Sequence, residues 1–588
     1  MIVPMSKVYI VTQSYNHTRL LDVLAQLGVV HIEPVDPGKA VAETQTLQTL
    51  TTLEHAIQVL QKIEPSGKAA DISPLDAANE AIDINKAIVD EKERLGTLQR
   101  TASQLAVWGN VEIKRLKHLS SLGIEVRFFS VAKKDLPALQ AECIEVVAEL
   151  SGKDVLIAVI DRIGTFQNPD GAKEIPWPST DLPAVKKEAA ALDASIKQNN
   201  ARLAELAGII DKIQNERKQL KIKADFHIAQ NSGLKSSALF AIQGWVPSSQ
   251  ADLLSENLKK HEITAAVEIM PAAEGEQPPT LIEYPKWAKP IKGLFDILGT
   301  VAGYQEFDVS VPFMLALPIF AAMLIGDGGY GAVLLLGLLL GYKKAAPALG
   351  ENFTRLLIII GAATLVWGFL CGSFFGYDKL YKPLIPVNMT DQSRYLLMQI
   401  SFIMGAIHLS TAQFWQALRL YPNLCFLNKV GWGVFVWGML GVVRMFVLGS
   451  SLAWGTPWPY LLIAGAILAI LFNSPGKNII KMVLLGVANF PLSMLSAFSD
   501  VISYVRLMAV GLASGVLAAS FNDLAFSAGP WYLAIPILVF GHGLNLGLAL
   551  IALFAHGVRL NMLEFSNNLG MQWIGYSYKP FKNDSGVN

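Results

Sequence analysis

From Val311 to about Arg559 the chain is dominated by apolar runs of membrane length, whereas residues 1 to about 290 alternate polar and apolar positions with the periods of soluble elements. The runs lie near 311–342, 354–376, 395–417, 431–449, 458–473, 482–526 and 531–558. The first is interrupted by "GDGGYG", Gly326 to Gly331, and reads either as one span or as two short helices joined by a turn. The sixth is too long for a single upright span, since 45 residues of helix measure roughly 67 Å against a hydrocarbon core of roughly 30 Å. It must be strongly tilted or broken, and Pro491 permits a kink near its start. Asn489, Ser493, Ser496, Ser499, Asp500 and Ser503 give its first half a wet aspect, while "LMAVGLASGVLAASF" offers small residues for close helix contact.

In the soluble half, "SKVYIVTQSYNHTRLLDVLAQLGVVHIEPV" reads strand, helix, strand. "IEVRFFSVAKKDLPALQAECIEVVAEL" followed by "DVLIAVIDRI" repeats the alternation, so small α/β lobes are expected. Coiled-coil spacing runs through Ile84, Ile88, Leu95, Leu98, Ala102 and Leu105. It returns through Val185, Ala189, Leu192, Ile196, Leu203, Leu206, Ile210 and Ile213, with an earlier stripe at Leu47, Leu50, Leu53, Ile57, Leu60 and Ile63. Antiparallel pairing of the early helices with the later one makes a stalk with a lobe at each end; an ordinary helical bundle is the competing arrangement.

Composition agrees with a chain of two unlike halves: mean hydropathy is +0.39, 52% of residues are hydrophobic, and 48 Lys and Arg balance 48 Asp and Glu. No basic tract points to nucleic acid. Cys143, Cys371 and Cys425 are too scattered for a disulfide framework or a CxxC metal site. The N-terminus lacks the pattern of a signal peptide, which keeps the arm in the cytoplasm. With the first apolar run as one span, Lys343, Lys344, Arg355, Arg419, Lys429, Lys477 and Lys481 fall outside, inverting the positive-inside bias. A hairpin there returns them to the cytoplasm with Lys579 and Lys582, leaving Lys379, Lys382 and Arg394 outside. The expectation is an α-helical, integral multi-pass membrane protein of about eight transmembrane helices, one long and tilted. Both termini are expected in the cytoplasm.

Arg506, inside "SAFSDVISYVRLMAVGL", is the main chemical signal, because a guanidinium in hydrocarbon costs several kcal/mol and such charges mark ion paths. A static pair is its structural alternative; Asp500 is the nearest acid in sequence, but six residues is poor spacing for contact on one helix. "GDGGYG" matches GxGxxG but sits in a membrane run rather than a βαβ unit, so tight packing and a bend explain its glycines better. Asp327 is a possible structural or functional residue, with capping of the second short helix at least as good a reading. No GxxxxGK[ST] loop is present to cradle nucleotide phosphates.

These residues resemble the membrane subunit of rotary V-type and archaeal-type ATPases, called subunit a in eukaryotes and subunit I in bacteria and archaea. "SYVRLMAVGLA" (Ser503 to Ala513), "HGVRLNMLEF" (His556 to Phe565) and "PFMLALPIFAAMLIGDGGYG" (Pro312 to Gly331) carry the likeness. "GSFFG" (Gly372 to Gly376), "GWVP" (Gly244 to Pro247) and "PPT" (Pro278 to Thr280) follow the same order. The resemblance implies a stator, not an enzyme by itself and with no cofactor of its own, that couples H⁺ or Na⁺ movement to ATP hydrolysis or synthesis. It implies as partners a ring of lipid-embedded ion-binding subunits (c/K/L type), peripheral stalk subunits (E/G type), a central-stalk adaptor (d/C type), indirectly the catalytic head, and membrane lipid.

Arg506 matches the family's essential arginine and Arg559 the second arginine on the final helix, both expected to serve ion translocation. Asp500, Ser503, His542, Asn545, His556 and Glu564 are the candidate half-channel lining. Two departures matter. "YQEFDVS" (Tyr304 to Ser310) replaces the family's Pro-Thr ending, and Ala549 stands where eukaryotic members carry an acid, which favours a bacterial or archaeal plasma-membrane protein. The implied division is a cytoplasmic arm over 1–290, a linker over 291–310, a transmembrane ion-translocating domain over 311–565 and a cytoplasmic tail over 566–588. Two other classes compete: a self-contained secondary transporter with Arg506 at an anionic substrate site, for which paired internal repeats are missing, and a scaffold anchor, which leaves Arg506 unexplained.

Overall fold

The computed structural model describes residues 1–582 apart from 68–70, 110–111, 137–138, 140, 151–153, 161, 163–171, 179, 274, 378–382, 386–390 and 474–478. Lys379, Lys382 and Lys477, used above to orient the spans, lie outside the described residues. In chain order the soluble elements are β1 (Met5–Gln13), α1 (His17–Leu27), β2 (His31–Glu33), α2 (Thr44–Leu60), α3 (Pro74–Leu105) and α4 (Ile113–Ser121). Next come β3 (Val126–Ala132), β4 (Cys143–Glu149), β5 (Asp154–Ile160), β6 (Lys173–Glu174), α5 (Leu182–Ala207) and α6 (Ile210–Ser232). The series ends with β7 (Leu234–Lys235), β8 (Leu239–Pro247), α7 (Ser248–Lys260), β9 (Ala265–Pro271) and α8 (Lys292–Leu298). The apolar helices are α9 (Ser310–Ile325), α10 (Gly328–Leu340), α11 (Tyr342–Leu349), α12 (Glu351–Cys371), α13 (Asp391–Leu420) and α14 (Cys425–Leu448), then α15 (Trp458–Leu471), α16 (Ile479–Ser503), α17 (Val505–Ser527) and α18 (Trp531–Ala552).

The chain forms two compact units, each assembled from separated stretches. The first comprises Met1–Val11, Val29–Glu33 and Gln243–Pro580; the second comprises Thr12–Gly28, Pro34–Ile242 and the residues from Phe581.

In the second unit α2, α3, α5 and α6 pack around Leu53, Leu60, Leu203, Leu206 and Ile213, all almost fully buried. Ser73 starts α3 by accepting from the Asp76 amide at 3.2 Å, and Asp181 starts α5 by accepting from the Ala184 amide at 2.9 Å. α3 and α5 run antiparallel, as expected: Arg94 meets Glu188 at 2.6 Å, Ser195 donates to Glu91 at 2.6 Å, and Arg202 meets Glu80 at 2.6 Å. The later stripe is not one helix, however. It breaks at Gly208, whose amide turns back to the Glu205 carbonyl at 3.1 Å, and α6 resumes with Ile213 still in the core. The lobe sheet, β4–β5–β3–β6, pairs β3–β5 and β4–β5 antiparallel, and in place of the expected helix the described residues between β3 and β4 form a turn and no α-helix. Four residues separate β4 from β5, enough for an antiparallel hairpin and too few for the crossover of about a dozen residues that a parallel pair needs.

The first unit carries a sheet ordered β2–β8–β1–β9. The segment after the last membrane helix returns to it, with the Lys579 amide donating to His31 Nδ1 at 3.0 Å and Tyr578 Oη donating to the Val29 carbonyl at 2.5 Å. Burial lowers the His31 pKa, which keeps the ring neutral and able to accept.

Among the described residues five helices are long and apolar enough to cross a membrane alone: α12, α13, α14, α16 with α17, and α18 with the turns after it. α10 and α11 form a pair bent by 90°, and α9 and α15 are shorter apolar helices. "GDGGYG" is a turn, as one of its two readings expected. Past it α10 runs back along α12: a Cβ on Gly331 would lie 2.5 Å from the Leu365 amide nitrogen, and one on Gly361 would lie 3.0 Å from that of Leu335. α9 starts at the other end of α12, where Phe313 and Phe353 share one cluster.

Candidate functional site

The long apolar segment breaks at Tyr504, not at Pro491, which α16 absorbs. At the break the Leu507 amide bonds to the Tyr504 carbonyl at 3.1 Å, a tighter turn than the α-helical one. This releases the Ser503 carbonyl, and Arg506 Nε donates to it at 2.9 Å. The helix break therefore orients the guanidinium. Its Nη2 reaches Glu564 Oε1 at 2.7 Å, in a charge-assisted pair whose carboxylate side chain is only 5% exposed.

Glu564 is 58 residues away from Arg506 and comes from the wide turns that follow α18. Leu553–Val558 and Leu560–Phe565 are π-helical. In an α-helix residues five apart point about 140° away from each other, whereas π winding stacks them. Arg559 and Glu564 are five apart, and Arg559 Nε lies 3.6 Å from the same Glu564 Oε1. Two guanidiniums thus share one buried carboxylate. Arg506 is mostly buried and Arg559 is half-exposed.

Asp500 is not the partner of Arg506. It accepts from Asn568 Nδ2 at 2.8 Å; that amide also donates to the Glu564 carbonyl at 2.7 Å, and Gln413 Nε2 donates to Asn568 Oδ1 at 2.8 Å. The Ser503 hydroxyl is used locally, on the Ser499 carbonyl at 2.9 Å. His556, one turn before Arg559, is half-buried, and its Nδ1 has no hydrogen-bond partner among the described residues.

His542 and Asn545 belong to a second polar cluster at the other end of α17. Asn545 Nδ2 donates to Tyr330 Oη at 3.0 Å and to the Ser514 carbonyl at 2.8 Å. The Tyr330 hydroxyl is left to donate to His542 Nδ1 at 2.8 Å, and His542 Nε2 then donates to Asn522 Oδ1 at 3.1 Å. Asn522 lies 16 residues beyond Arg506, roughly 24 Å along the helix. Between the clusters α17 touches α9 backbone to backbone: a Cβ on Gly511 would lie 2.2 Å from the Met323 carbonyl oxygen.

Asp327 is structural. Its Oδ1 accepts from the amides of Gly329 at 2.8 Å, Tyr330 at 3.3 Å and Phe375 at 2.8 Å; its Oδ2 accepts from Ser373 Oγ and the Gly376 amide, each at 2.8 Å. It caps α10 and ties "GDGGYG" to "GSFFG". Among the described residues no group of three His, Cys, Asp or Glu side chains is placed to hold a metal ion.

Sequence reasoning missed Tyr504, His408, Gln413, Asn568, Tyr330 and Asn522. Their contacts cross between helices, and nothing in local spacing announces them. His542 and Asn545 were legible as polar residues in an apolar run.

No protein-family model matches the chain. Over 99% of its length it is 27% identical to the V-type ATP synthase subunit I of Borreliella burgdorferi, covering 99% of that protein. It is likewise 27% identical over 99% of its length to V-type ATP synthase subunit I 1 of Treponema pallidum, covering 100% of it. The A-type ATP synthase subunit I of Methanocaldococcus jannaschii is 24% identical over 69% of this chain and 64% of its own length.

Proposed function

We propose that the chain, which is similar over 99% of its length to V-type ATP synthase subunit I and over 69% of its length to an A-type one, is a rotary-ATPase membrane subunit and the stator through which ions pass. The observation that carries this reading is the Arg506–Glu564–Arg559 group at a helix break, with a separate polar cluster at each end of α17. The cluster around Asp500 and the exposed Asn489, Ser493, Ser496 and Ser499 on α16 form one half-channel. Tyr330, His542, Asn522, Asn545 and Ser514 form the other. No catalysis of nucleotide chemistry is assigned to this chain.

An ion enters by one half-channel and neutralises a ring carboxylate, which then travels through lipid. On its return the carboxylate meets Arg506. The guanidinium exchanges Glu564 for the ring carboxylate, which releases its ion to the other half-channel, while Arg559 keeps the Glu564 charge compensated. A buried charge is paired before and after the exchange, which avoids the cost of leaving one alone. Arg506 cannot lose its own proton, so ions do not leak directly between the half-channels.

The antiparallel course of α9 and α10 along α12 supports eight crossings with both termini on the cytoplasmic side. On this reading the arm spans 1–290, the linker 291–310, the membrane domain 311–565 and the tail 566–588. Ring subunits, peripheral stalk and central-stalk adaptor are the partners on this reading. Gentle solubilisation of the tagged chain from native membranes, followed by mass spectrometry, is expected to recover catalytic ATPase, stalk and ring subunits. Recovery of the chain alone, able to move solute in liposomes, would replace this reading with that of a secondary transporter.

A further inference from the structure

The break at Tyr504 aims Arg506, so whatever fixes Tyr504 fixes the guanidinium. Tyr504 is completely buried. Its ring lies against Gly405 of α13, where a Cβ would come within 2.6 Å of Tyr504 Cγ, and Phe320 of α9 meets it edge-on at 5.9 Å between centroids. At the floor of this socket the Tyr504 hydroxyl is 2.8 Å from Nδ1 of His408, itself only 7% exposed. The same imidazole lies flat on Phe565, with centroids 4.4 Å apart and planes 17° apart, and edge-on to Phe320 at 5.0 Å.

These contacts give His408 a particular place. Tyr504 is two residues before Arg506, and Phe565 is the residue after Glu564. One buried side chain on α13 therefore grips both strands of the ion pair, by a hydrogen bond on the arginine side and by ring stacking on the glutamate side. Resting on the reading of Arg506 given above, we propose that His408, acting through Tyr504, is a positioning residue for ion translocation: it sets the break that turns Arg506 toward Glu564 and holds the two at exchange distance. It touches no ion and no ring subunit. Displacements of about 1 Å in such a constellation can cost around a hundredfold in rate, so a buried two-point support is worth more than its own hydrogen bond.

The test uses the assembled complex, reading ATP-driven ion uptake per assembled complex and the uptake obtained per ATP hydrolysed. Tyr504→Phe removes one oxygen and leaves the socket filled. His408→Leu removes the polar atom, whereas His408→Asn places an amide atom where Nδ1 stood. Tyr504→Phe and His408→Leu are each expected to lower uptake per complex roughly tenfold, their combination no further than either alone, and His408→Asn is expected to recover at least a third of wild-type uptake. Wild-type uptake per complex in Tyr504→Phe and His408→Leu would overturn the proposal. So would a loss confined to the amount of assembled complex, or an Asn variant as poor as the Leu variant. Arg506→Ala measured alongside separates the two readings. If it is inactive while Tyr504→Phe is normal, only the positioning role fails; if it too transports, the stator mechanism fails.

Discussion

Arg506→Ala in the assembled complex is expected to abolish ATP-driven ion uptake while the amount of membrane-inserted chain stays near wild type. Truncating one partner of a buried ion pair commonly costs about 3–5 kcal/mol, because the other charge is stranded. Here Glu564 is not stranded, since Arg559 lies 3.6 Å from the same oxygen and remains as its counter-charge. The fold is thereby protected and the loss falls on transport, where no other group in the break can face an arriving ring carboxylate. Arg506→Lys should restore charge but little transport, because the ammonium cannot hold Ser503 and Glu564 with one planar fork. Ion uptake into reconstituted vesicles, normalised to complex assembled, checks both variants.

Gly368→Ala should instead remove the protein from the membrane. A Cβ there would sit 2.1 Å from Gly328 Cα and 2.2 Å from its nitrogen, and these are backbone atoms that no rotamer change can move. α10 and α12 would have to part just beside Asp327, whose five hydrogen bonds tie the two "GDGGYG" and "GSFFG" turns together. Overpacking of this kind costs about 1–3 kcal/mol before any of those bonds is lost. Gly337→Ala is the control: it lies on the same α10 with nothing within 4 Å of its Cβ position, and a helical Gly→Ala change there is expected to be neutral or to gain up to about 1 kcal/mol. Abundance and thermal stability of the detergent-solubilised chain distinguish the two.

The two halves, the antiparallel pairing in the stalk, the turn at "GDGGYG" and the capping by Asp327 were legible because each rests on short-range pattern: periodicity, glycine and a capping side chain. Arg506 was legible because one charge in an apolar run has no local excuse. Its partner was not, since Glu564 comes from a segment 58 residues away and shares its carboxylate with Arg559 through π-helical winding, and hydrophobic spacing encodes neither. The helix break moved from Pro491 to Tyr504 for a similar reason. A proline alone removes one hydrogen bond, but the Tyr504 socket and the Arg506–Ser503 bond together hold a different turn. The stripe from Val185 to Ile213 kept its period across Gly208, so the break there left no mark on the apolar positions, and the turn between β3 and β4 lay under a sequence that reads equally well as a helix.

The central claim is that the Arg506 face of α17 meets the ring. Arg506, Ala513 and Ser520 follow each other at seven-residue spacing, and Ala513 and Ser520 are exposed. The most direct measurement is disulfide cross-linking of Ala513→Cys to a cysteine placed beside the ion-binding carboxylate of the ring subunit. It would be made in the assembled complex after replacing Cys143, Cys371 and Cys425. The account predicts a cross-link that stops ATP-driven ion uptake and is reversed by reduction. No cross-link from position 513, with one forming instead from Val366→Cys on the exposed face of α12, would contradict it.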